Sequence, residues 1–109
     1  MSDVSPFQFL QDWYADQCNG DWEHEFGIRM GTLDNPGWWF EVDLVDTDLE
    51  QRVLAKTSAE PGPGRWVWAE SDGQKFSSSC DLSSLDGALR LFREFVESGQ
   101  ADERRKVFR

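Results

Sequence analysis

The densest polar chemistry in this 109-residue sequence lies in Asn19-Gly20-Asp21-Trp22-Glu23-His24-Glu25-Phe26, where three carboxylates and the only histidine fall within five residues. Asp, Glu and His ligate divalent metals, so Asp21, Glu23, His24 and Glu25 are the candidate set for a small metal-dependent enzyme. The spacing argues against that use. In an extended segment Glu23 and Glu25 point to one side and His24 to the other, so they converge only across a sharp bend. A lone imidazole without an evident partner is also a weak candidate for acid-base chemistry. Ser77-Ser78-Ser79 has no neighbouring base, and Pro61-Gly62-Pro63-Gly64 lacks the lysine and the strand-to-helix setting of a phosphate loop. Cys18 and Cys80 have no close cysteine neighbour, which excludes a C-x-x-C motif and a cysteine-based zinc site of normal ligand count. Both are expected as buried, reduced thiols. No metal or cofactor is expected.

The carboxylates have a second use, as a surface. Twenty-one acids against eleven Lys and Arg give a net charge of −10. Binding to nucleic acid or an anionic membrane needs Lys and Arg at phosphates, so neither partner is expected. Residues 1–50 hold twelve acids and a single base, Arg29, for a net −11, whereas residues 51–109 come to +1. A negative field of that kind steers a basic partner, although it serves simple solubility as readily. The start Met1-Ser2-Asp3 has no basic and apolar leader, and no apolar run approaches the ~20 residues of a membrane span. The expected compartment is the cytoplasm.

The elements that position these residues follow from the pattern. With 39% hydrophobic residues and six tryptophans the chain can bury one core, not two. Ser5-Pro6 reads as an N-cap and first helical residue, and Phe7, Leu10, Tyr14 and Cys18 recur at helical spacing up to Asn19-Gly20. Phe26 to Leu33 alternates with period two, Asp34-Asn35-Pro36-Gly37 is turn chemistry with Gly37 free to take positive φ, and Trp38 to Val45 alternates again. Pairing Thr32 with Trp38 sets Met30 opposite Phe40, Ile28 opposite Val42 and Phe26 opposite Leu44. On the other face it sets Arg29 opposite Glu41 and lays Trp39 over Gly31. Arg52 to Thr57 reads as a third strand, with a helical turn beginning over Asp48 to Lys56 as the alternative, and Arg65 to Glu70 and Lys75 to Asp81 read as a hairpin through Asp72-Gly73. Ser83-x-x-Asp86 resembles a capping box that opens a helix over Leu85, Ala88, Leu89, Phe92 and Val96, stopped at Gly99. The order α-β-β-β-β-β-α predicts an α+β domain over residues 1–100, an antiparallel sheet of about five strands with its helices on one face, followed by a flexible basic tail at 101–109.

The stretches Leu10-Gln11-Asp12-Trp13-Tyr14, Gln17-Cys18-Asn19-Gly20-Asp21-Trp22-Glu23-His24, Gly27-Ile28 and Thr32-Leu33-Asp34-Asn35-Pro36-Gly37-Trp38, with the acidic strand after them and Cys80-Asp81-Leu82, resemble the immunity protein 53 family. The resemblance covers nearly the whole chain. It implies a non-enzymatic protein that neutralises a cognate toxin domain of a bacterial polymorphic toxin system, and it carries no map of contacts. Trp22, Pro36, Gly37 and Trp38 could serve the fold or the contact. The favoured reading is an acidic surface of Asp21, Glu23, Glu25, Glu41, Asp43, Asp46 and Asp48, with an exposed Trp39 as aromatic anchor, docking a monomeric chain on a basic toxin surface. A nuclease's substrate groove is one such surface, because carboxylates there stand where phosphates would. The alternatives are the metal-dependent enzyme and an interaction domain with an unrelated partner.

Overall fold

The structure, a computed structural model, describes the backbone of residues 4–107 and the side chains of residues 4–98. Helix α1 (Pro6–Gln17) begins as its sequence dictates: the Ser5 hydroxyl accepts from the Gln8 amide at 3.1 Å and Pro6 sits where a missing N–H is harmless. It buries Leu10 and Trp13, with Phe9 packed beside them. Phe7 and Tyr14 of the expected stripe are exposed, because the helix turns the Trp13 indole to the core, against Phe92 at 5.3 Å and Trp22 at 6.2 Å. The rotation also leaves Cys18 exposed at the helix end, correcting its expected burial, while Cys80 is buried.

Residues 22–25 form a single helical turn, α2 (Trp22–Glu25), where the sequence pattern suggested extended chain. The reason is local. The Asn19 side-chain oxygen accepts from the amides of Asp21 and Trp22, and the Glu23 carboxylate accepts from those of Asn19 and Gly20 at 2.9 and 2.8 Å. These bonds close the chain into a turn that a period-two pattern does not report.

The strands are β1 (Ile28–Leu33), β2 (Gly37–Asp43), β3 (Val53–Ala59), β4 (Val67–Asp72) and β5 (Lys75–Cys80), in one antiparallel sheet of order β1-β2-β5-β4-β3. The expected hairpin register holds from Ile28 opposite Val42 to Thr32 opposite Trp38. Phe26 and Leu44 lie beyond the end of the ladder, because the chain turns away into α2 before residue 26 can pair. Gly37 is required for close approach and not for positive φ: a Cβ there would collide with the Cys80 carbonyl oxygen on β5. The Asn35–Pro36 peptide is cis.

The face carrying Phe40, Val42, Phe76, Val67 and Ala69 is covered by α3 (Leu85–Val107), against which α1 packs, with Leu10 and Trp13 in the same core. Phe92 lies at the centre, its ring edge-on to Phe9, Trp13 and Phe76. Each such fully buried aromatic contributes about 1.5–3 kcal/mol from burial. Buried Ser78 on this face donates to the Trp68 carbonyl at 2.8 Å, so no desolvated hydroxyl is left over.

Helix α3 departs from expectation at both ends. Ser84 and not Ser83 precedes its first turn, since the Ala88 amide donates to the Ser84 carbonyl, and the Ser84 hydroxyl donates to Asp81 instead of capping the helix. Asp86 pairs with Arg90. The helix also runs through Gly99 to Val107, because a glycine that keeps helical backbone costs only ~1 kcal/mol and stops nothing by itself. The side chains of the expected tail, 101–109, lie outside the described residues. Arg93 donates to the Val4 carbonyl at 3.1 Å, fastening the two helices across 89 positions of chain.

Candidate functional site

The structure divides the candidate residues between two places. Asp21, Glu23 and Glu25 lie on or beside α2, while Asp46 and Asp48 lie on the loop after β2. The Trp22 indole joins the two segments: it is buried and donates through Nε1 to the Val45 carbonyl at 2.8 Å. Asp21, Glu25, Asp46 and Asp48 are exposed and make no ion pair among the described residues. Glu23 is occupied differently. The amides of its own turn, Glu23 itself with Asn19 and Gly20, hold its carboxyl below the usual range, so it serves as a bracket for the loop between α1 and α2.

Trp39, Glu41 and Asp43 lie on the helix-free face of the sheet. Here Arg29 reaches Glu41 at 3.4 Å and Asp43 at 3.1 Å, and Lys75 reaches Glu41 at 3.6 Å. Burial works against the Asp43 charge, yet bonds from Arg29 and the Gly27 amide hold its carboxyl below the ordinary aspartate range. Asp43 thus fastens the start of β1. Trp39, expected to be exposed, is half-buried because its indole lies across Gly31, where a Cβ would stand 2.7 Å from Nε1. It belongs to one row across the sheet, Gly31, Trp39, Ser79, Trp68 and Ser58, with Lys56 Nζ 4.5 Å from the Trp68 ring centre.

Of the four residues left open between fold and contact, Trp22 is in the core and Gly37 is pressed on β5. Trp38 is half-buried and donates from Nε1 to the Leu82 carbonyl at 3.2 Å, and Pro36 is exposed. His24 is exposed between Glu23 and Glu25. No group of three or more His, Cys, Asp or Glu side chains that could hold a metal ion occurs among the described residues. Nor, among them, is any helix long and apolar enough to cross a membrane.

A groove of about 570 Å³ runs beside α2, between α1 and β1, and the sequence reading did not foresee it. Its apolar lining includes Phe7, Tyr14, Phe26, Ile28 and Met30, and its rim includes Glu23, His24 and Glu25. Phe7 and Met30 carry the helix and strand periodicity of core residues. The turn of α1 toward Trp13 leaves Phe7 56% exposed, and the placement of β1 at the sheet edge leaves Met30 38% exposed.

The family model for Immunity protein 53 matches residues 7–97 of the chain. No curated protein and no solved structure matches it.

Proposed function

Because the chain belongs to the immunity protein 53 family, we propose that it binds and neutralises a cognate toxin domain of a polymorphic toxin system in the cytoplasm of the cell that makes it. The family match carries this reading. The charge distribution says how contact would begin: the net −11 of residues 1–50 draws in a basic surface, and the exposed carboxylates Asp21, Glu25, Asp46 and Asp48 meet it. Among the described residues these four make no ion pair, which leaves them to meet Lys and Arg of a partner. Glu41, Asp43 and Trp39 contribute at the sheet face, although Asp43 and Trp39 also serve the fold. Inhibition needs no catalysis by the chain.

Co-expression tests the reading. The toxin domain encoded beside this gene arrests growth, and this chain restores it. The triple variant Asp21→Lys, Glu25→Lys, Asp48→Lys folds as the native chain does and loses the rescue, and the native association rate falls steeply with added salt. Failure of the soluble native chain to rescue against an active toxin refutes the pairing. Full rescue by the variant moves the contact off this surface.

A further inference from the structure

The sheet has two edges, and β1 is the one left unguarded. In its ladder with β2 the Asp43 amide donates to the Gly27 carbonyl at 3.0 Å, which fixes the alternation: residues 29, 31 and 33 turn their N–H and C=O groups to β2. Those of Ile28, Met30 and Thr32 therefore point outward, and no described residue pairs with them. The register runs through six residues without a bulge. The one charged side chain of β1, Arg29, is drawn to the helix-free face by Glu41 and Asp43 and does not defend the edge. Such an edge is a template for another strand. The groove beside α2 runs along this same edge, so a strand added there would set every second side chain against Met30, Phe7 and Tyr14.

Resting on the reading that the chain binds a toxin domain, we propose that the β1 edge takes an extended basic segment of that domain as a sixth strand, with apolar side chains in the groove and Lys or Arg against its acidic rim. The chemistry of the occupant follows from charge. Glu25 stands exposed on the rim, and the only base in the first fifty residues is already engaged across the sheet. A second copy of this chain would bring one net −11 segment against another, which like-charge repulsion opposes. A basic segment meets the opposite field. Main-chain bonds along β1 supply affinity, and the groove selects the alternate side chains.

Proline substitution tests this without dismantling the sheet. The amides of residues 30 and 32 face away from β2, so Met30→Pro and Thr32→Pro remove outward donors and leave the β1–β2 ladder in place. The full chain and both variants are titrated calorimetrically with the toxin domain encoded beside this gene, its catalysis disabled by mutation. Each proline weakens binding by about tenfold or more, the equivalent of roughly one net hydrogen bond. In the native complex the Met30 and Thr32 amides slow in hydrogen exchange. Phe7→Glu, at an exposed helix position, weakens binding as well and decides the matter should a proline variant fail to fold. Native-like affinity of the folded proline variants, or of Phe7→Glu where they do not fold, overturns strand addition, as does exchange at β1 unchanged on binding. The immunity reading survives that result, and it is the one refuted if the native chain itself does not bind.

Discussion

The two edges of the sheet are built differently. Strand β3 is nearly all exposed, its register breaks between Leu54 and Thr57, and Lys56 projects beside the break over Trp68. A bulge and a lysine are the devices by which proteins keep an edge from pairing with another chain. Strand β1 has neither: its register is continuous, and half-exposed Met30 stands on the groove side. The difference teaches that edge protection in this fold is local. One edge is closed by its own residues, and the other carries no such device.

The largest expected effect separates the edges by stability. Gly37→Val drives a side chain into the Cys80 carbonyl, which is backbone and cannot swing aside. The variant loses about 1–3 kcal/mol in urea denaturation. Hydrogen exchange then quickens in β1 and β2 and stays slow in β4. Equal loosening of β4 would show that the two edges open as one unit and would break the comparison.

Acid gives a smaller and more specific effect. The carboxyls of Asp43 and Glu23, both below their ordinary values, tie down the β1 side through Arg29, Gly27 and the loop before α2. A carboxyl depressed in the folded state contributes stability that is complete above its unfolded value, about 3.9 for Asp and 4.3 for Glu. That stability is lost as pH falls through the lower folded value. Urea stability is therefore level from pH 7 to about 5 and declines below about 4. Asp43→Asn costs about 1 kcal/mol at pH 7, since the site is partly open to solvent, and flattens part of the acid slope. An unaltered slope would remove Asp43 from the account.

The smallest change in stability falls at the guarded edge. Lys56→Thr stays within about 0.5 kcal/mol of the native chain, as surface substitutions do. Sedimentation at rising concentration nevertheless shows new self-association through β3. A variant that stays monomeric would mean that the bulge alone closes this edge.

The β1–β2 register was legible because two alternating runs and a four-residue turn constrain one another, and each cross-strand pair adds a check. Helix α2 was not, because four residues give no periodicity and its cause is a set of side-chain bonds from Asn19 and Glu23. The exposure of Cys18 is not legible for a related reason: helical spacing names a stripe but not its centre, which Trp13 decides by packing on Phe92. Helix α3 runs past the expected stop at Gly99, since a glycine marks a stop only where the backbone turns left-handed. The candidate carboxylates could be named from composition. Their division, with Glu23 and Asp43 holding the fold and Asp21, Glu25, Asp46 and Asp48 left exposed, depends on which loop Trp22 reaches. The groove was invisible for the same reason, since strand order decides that β1 is an edge.

The placement of α3 bears on how the chain is made. All five strands and α1 are synthesised before Ala88, Leu89, Phe92, Phe95 and Val96, and these close the inner face of the sheet. Until that helix emerges from the ribosome, Phe40, Val42 and Phe76 have no complete lid. The nascent chain carries an uncovered apolar sheet with two strand edges, one of them unprotected, which is the kind of species that aggregates or engages chaperones. Folding is completed only when the helix docks, so every surface that α1 and β1 form together waits on an element translated after all five strands.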